Sequence, residues 1–115
     1  MLGQSPELTA VCAEDDLRPG HPVRVLIPDG PVLVVRNDDG VIRAVDDTCT
    51  HADISLADGF VEGRRVECWA HGAQFDLATG AALMLPASEP LRVRDVLVRG
   101  GTVYIRSTGR DSVPE

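Results

Sequence analysis

The chain reads as all-β, an antiparallel sandwich or barrel with a small subdomain inserted near its middle. Short runs rich in Val, Ile and Leu recur along it, with turn signals roughly every eight to twelve residues. No segment repeats apolar residues at helical spacing over a useful length. The stretch from about Asp47 to Pro86 is richer in Gly, His and small residues than the two strand-patterned flanks. It is expected as the inserted subdomain, the flanks forming the β base.

Taken in order, the patterning predicts strands over Ala10–Cys12, Val23–Ile27, Val32–Arg36 and Val41–Asp46 in the first flank. A short helical turn is expected near Asp15–Leu17. Within the insert, Arg65–Trp69 and Gln74–Asp76 carry strand character. Leu91–Arg99 and Thr102–Arg106 complete the second flank. The punctuation is Asp29-Gly30, Asp39-Gly40, Asp58-Gly59, Glu62-Gly63, Thr79-Gly80 and Gly100-Gly101. Asp-Gly and Gly-Gly suit hairpin turns because glycine adopts positive φ without steric cost. The tail Ser107–Glu115 is polar and expected to fray.

At 115 residues the chain is expected to form one domain spanning 1–115, with the insert at about 47–86. Apolar residues at 43% and charged residues at 25% are ordinary for a globular protein. The apolar runs are far too short to span a bilayer, and Met1–Glu7 has neither a basic start nor an apolar core, so the cytoplasm is the expected compartment. Eighteen acidic residues against eleven basic ones, all of them Arg, give a formal charge of −7. That balance argues against a nucleic-acid partner, which needs a basic footprint, and suits docking on a basic protein surface. Cys12 sits alone in an apolar run and is expected to be a small buried hydrophobe. No disulfide framework is implied.

The chemistry is concentrated in two short pairs, Cys49-Thr50-His51 and Cys68-Trp69-Ala70-His71, separated by sixteen residues. Thiolate and imidazole are the donors that suit zinc or iron–sulfur chemistry. Two of each, paired in sequence, make scattered unrelated residues an unlikely explanation. The pattern C-x-H, sixteen residues, C-x-x-H resembles the Rieske [2Fe–2S] motif, in which two His replace two Cys on one iron. The likeness continues through His71-Gly72-Ala73-Gln74-Phe75-Asp76 to Thr79-Gly80 and Pro86. The chain is therefore similar to the small Rieske-type ferredoxins that serve bacterial aromatic-ring-hydroxylating dioxygenases.

That resemblance implies a Rieske-type fold and one [2Fe–2S] cluster, with Cys49 and Cys68 on the inner iron and His51 and His71 on the outer one. A third loop near Leu85-Pro86 would cover the cluster. It also implies a one-electron carrier between an NAD(P)H-dependent flavoprotein reductase and a terminal oxygenase. A structural Cys2His2 zinc site is the serious competitor, giving a zinc-stabilised binding module. Zinc proteins usually place their Cys together and their His together, whereas here each pair supplies one of each. A Rieske-like small subunit of a larger enzyme, such as a nitrite reductase, is the other alternative.

Catalysis has no visible home in the chain. With His51 and His71 assigned, only His21 remains, in the turn Gly20-His21-Pro22, where a solvated loop residue is expected. A two-His-one-carboxylate iron site cannot be assembled, nor a Ser-His-Asp set, and there is no phosphate-binding glycine loop. The pairs Asp15-Asp16, Asp38-Asp39 and Asp46-Asp47 sit at turn positions and read as solvated turn residues. Trp69, where the family most often has Pro, is expected as hydrophobic cover over the ligand loops, with partner docking as its other role.

High-potential members of the family carry a disulfide beside the cluster and hydroxyls that donate to its sulfurs. The matching positions here are Ile54 and Ala70 for the disulfide, and Ala73 and Phe75 for the hydroxyls. Fewer hydrogen bonds to sulfur leave the reduced, more negative state less stabilised. The measured midpoint potential is expected near or below about −150 mV, the bottom of the Rieske range; a strongly positive value would overturn this reading.

Overall fold

In the computed structural model, which describes residues 8–49, 54–70, 72–84 and 89–106, the chain forms three antiparallel sheets. The first contains β1 (Leu8–Ala13) and, from the far end of the chain, β9 (Val96–Arg99) and β10 (Thr102–Arg106), in the order β1-β10-β9. The second is the meander β2 (Val23–Ile27), β3 (Gly30–Arg36) and β4 (Ile42–Asp46). The third, β5 (Phe60–Glu62), β6 (Arg65–Glu67), β7 (Gln74–Asp76) and β8 (Ala82–Met84), is another meander lying between β4 and β9 in sequence.

β3 joins the two cores. Its Val32-Leu33-Val34-Val35 run is apolar without alternation, the pattern of a strand covered on both faces, and all four residues are 0% exposed. Because successive side chains point to opposite faces, Leu33 and Val35 enter one core with Val45, Leu56, Val66, Phe75 and Leu77. Val32 and Val34 enter the other, with Leu17, Ile27, Ala44, Val103 and Ile105. The register Val32↔Asp46 through Arg36↔Ile42 fixes which residues of β4 serve each core.

The strands predicted from the flanks are present, β2 and β10 at their expected limits and the others with altered ones. β1 starts earlier than expected and bulges between Ala10 and Cys12 against β10. Asp15 and Asp16 lie in a 3₁₀ turn, Glu14–Asp16, and stay exposed. Leu91–Arg99 is not one strand, because its first half belongs to a different neighbour from its second. Asp46 N–H donates to Arg92 O and Arg94 N–H to Ala44 O, each at 2.9 Å, so the segment first follows β4. From Val96 it pairs with β10 instead. In the insert, β6 ends at Glu67 rather than Trp69, since the chain turns at Cys68. β5 and β8, three residues each, were too short to register as apolar patterns.

Long-range polar contacts tie these pieces together. Asn37, 1% exposed at the end of β3, donates from Nδ2 to Gly63 O in the β5–β6 turn. Gly80 closes the β7–β8 turn at φ 79°, and a Cβ there would lie 2.2 Å from Leu91 O, so only glycine fits. Arg94, 4% exposed, donates to Asp46 and Asp29, both at 2.8 Å. Burial by itself pushes the Arg94 guanidinium down, but its hydrogen bonds and charge contacts with Asp46 and Asp29 more than reverse this, and its pKa rises.

The expectation of Asp46-Asp47 as solvated turn residues is therefore corrected: Asp47 is buried, and Asp46, about a third exposed, is held by Arg94. Asp46 is the partner of a buried arginine, and Asp47 is 1% exposed. Asp47 Oδ1 accepts the Ala57 N–H at 2.9 Å, and Oδ2 accepts the Ser55 hydroxyl at 2.5 Å. Arg24 Nε lies 3.3 Å from Oδ2, and Asp47 O accepts the Leu56 N–H. One side chain thus pins the Ser55–Ala57 segment to the end of β4. Asp47→Ala strands two partly buried donors and should cost about 2–4 kcal/mol of stability. Arg24→Ala, with its side chain about half exposed, should cost about 1 kcal/mol or less. Chemical denaturation midpoints measure both, and equal losses would show that the ion pair, not the hydrogen-bond clamp, carries the stability.

Candidate metal centre

Cys49 and Cys68 stand at the bases of two turns built alike. The first leaves β4 through Asp47 and Thr48. Thr48 bridges Ser55, and Cys49 N–H donates to Ile54 O at 3.0 Å. The second joins β6 to β7 above the Glu67↔Gln74 pair. There Cys68 N–H donates to Ala73 O at 2.7 Å, and Gly72 N–H returns to Cys68 O at 3.0 Å. In both turns the cysteine amide is held by the carbonyl five residues ahead. Gly72, at φ 75°, takes the left-handed conformation that closes the second turn.

The two cysteines are 2% and 0% exposed and belong to one continuous core. His51 and His71 lie outside the described residues, His51 in the stretch 50–53 and His71 between Ala70 and Gly72. Leu85-Pro86, expected to cover the site, also lies outside them. Ala73 and Phe75 are both fully buried in the same core as the thiols. Ile54 and Ala70 pack against it, partly buried. None of these four side chains has a hydroxyl or thiol to offer.

This arrangement fits a [2Fe–2S] centre. Two buried cysteines in one apolar core match a thiolate pair, and one histidine follows each closely in sequence. A buried thiolate carries charge into an apolar surrounding, which is tolerable when a metal neutralises it.

Elsewhere the expectations fare unevenly. His21 is exposed, as are Asp38 and Asp39, and Asp39 Oδ1 accepts the Val41 N–H within its turn. Cys12 is half-buried against the second core, and burial, then the Asp16 charge, pushes its thiol pKa up. Its thiolate, the reactive form, is correspondingly disfavoured. Trp69 is 53% exposed, so most of the side chain faces solvent rather than covering the loops. Asp47 and Glu67, each within two residues of a cysteine, were not anticipated as part of the site. Their position beside the cysteines was the available signal, but residue type alone does not separate a clamped carboxylate from a solvated one.

The Rieske [2Fe-2S] domain family matches residues 7–97. The ferredoxin component of the p-cumate 2,3-dioxygenase system of Pseudomonas putida is 39% identical over 86% of this chain and 85% of its own. The ferredoxin component of biphenyl 2,3-dioxygenase from Rhodococcus jostii is 41% identical over 89% and 94%. A chain in the solved complex of reduced oxygenase and oxidised ferredoxin of carbazole 1,9a-dioxygenase superposes with a TM-score of 0.85 at 34% identity, covering 92% of this chain and 98% of that one. By that family match and those similarities, the chain belongs to the Rieske [2Fe–2S] family and is an electron carrier holding one such cluster, not a catalyst.

Proposed function

We propose that the chain carries single electrons from an NAD(P)H-dependent flavoprotein reductase to the terminal oxygenase of an aromatic dioxygenase system, in the cytoplasm. The observation that carries this reading is the pair of buried cysteines in one core, each with its amide bonded to the carbonyl five residues ahead, in a chain whose relatives are named as ferredoxin components. Cys49 and Cys68 hold the inner iron, and His51 and His71 the outer. The segment from about Asp47 to Pro86 is the cluster-bearing part of the single domain 1–115. When bound, the cluster supplies a one-electron couple.

The chain's own residues set the conditions for that couple. The core around Cys49 and Cys68 keeps water from the thiolates. Trp69, one residue from Cys68 and more than half exposed, offers a large apolar contact beside the ligand turn. Interface hot spots are enriched in Trp, and redox encounters use small interfaces, so one such residue weighs heavily. The net charge of −7 favours a basic docking face, with association slowed as salt rises.

Anaerobically purified protein should contain equimolar iron and acid-labile sulfide, two of each per chain, and give a rhombic EPR signal on dithionite reduction. Cys49→Ser or Cys68→Ser should abolish all three. Zinc in place of iron would instead establish the structural zinc site. Trp69→Leu should leave iron content unchanged while slowing electron delivery to the oxygenase by about tenfold, measured by stopped-flow mixing; an unchanged rate would remove Trp69 from the docking surface.

A further inference from the structure

Glu67 precedes Cys68, and its side chain reaches across the turn that Cys68 opens. Oε1 accepts a hydrogen bond from Gln74 Nε2 at 3.2 Å, across the β6–β7 pair. Oε2 faces the open side of Gly72, 3.7 Å from where a Cβ would stand. The carboxylate is thereby held between the entry and exit of the second ligand turn. It is half-buried, and no cation pairs with it among the described residues. Its neighbours on the outer face of the sheet are Phe60 and Gln74 across the strands, with Arg65 and Glu62 one pair further from the turn. Asp47 at the first turn differs, because Arg24 stands 3.3 Å from it.

We infer that Glu67 sets the redox potential of the centre: a negative charge with no cation partner among the described residues, fixed against the second ligand turn by Gln74, disfavours arrival of the electron and lowers the midpoint. The inference rests on the cluster assignment above. Reduction transfers one electron from the donor to the oxidised centre, and no bond of Glu67 forms or breaks. The added negative charge meets a like charge at a partly desolvated position, where screening is weaker than in bulk water. This effect is separate from the absence of hydroxyls at positions 73 and 75, which removes a stabilising contact, whereas Glu67 adds a repulsion.

The test is a spectroelectrochemical titration of the cluster-loaded protein at fixed pH and ionic strength. Glu67→Gln keeps the size of the side chain and an acceptor for Gln74 while removing the charge, and Glu67→Ser removes both charge and reach. Each should shift the reduction equilibrium toward the reduced form by about tenfold, which for one electron is about 59 mV upward. Gln74→Leu, which frees the carboxylate to swing into solvent, should give a smaller shift of the same sign. Glu62→Gln, on the same face but away from the turn, should move the equilibrium less than about twofold. Unchanged potentials in both Glu67 variants, with iron content and EPR signal intact, would overturn the inference. So would an equal shift in Glu62→Gln, which would mark a bulk charge effect. A wild-type chain devoid of iron would sink the cluster assignment itself, and this inference with it.

Discussion

Two-sided burial of one strand organises the molecule. β3 has water on neither face: Val32 and Val34 serve the core shared with β1 and β10, while Leu33 and Val35 serve the core that contains both cysteines. A one-residue slip of β3 against β4 would exchange these sets and aim each at the wrong layer. The apolar run therefore specifies its register strongly. The inserted sheet, too small to bury a core alone, gains one by closing over the Leu33–Val35 face. Asn37 and Asp47 then fix where it closes, at opposite ends of the β3–β4 pair.

The site inherits its character from this arrangement. Each cysteine amide is bonded to the carbonyl five residues ahead, and both cysteines are buried in one core. Electrostatics around the two turns are unequal. Asp47 spends its oxygens on Ser55 and Ala57 and is matched by Arg24, so its charge is absorbed into the scaffold. Among the described residues, Glu67 has an amide, Gln74, for its partner. Two carboxylates close to the cysteines are thus placed differently, one holding the Ser55–Ala57 segment and the other bonded to Gln74 across the turn.

Much of this was legible beforehand. β2 and β7 match their expected limits, and the Gly100-Gly101 hairpin falls where the dipeptide places it, because local turn chemistry dominates there. The short strands β5 and β8 escaped detection, since three residues show no periodicity. Leu91–Arg99 misled because its composition is uniformly strand-like while its partner changes midway from β4 to β10. Asp46 and Asp47 read as turn residues because that is where Asp is commonest, yet they are held by Arg94, Ser55 and Ala57.

Residue type and near-neighbour spacing carried the strand-rich class and the family, so the sequence by itself determined them. Burial was decided elsewhere. Whether a carboxylate is clamped, paired or left alone depends on groups far along the chain, as with Arg94 and Asp46, forty-eight residues apart. Only the tertiary structure brings such groups within reach, and only it sets the local dielectric that gives their charges weight.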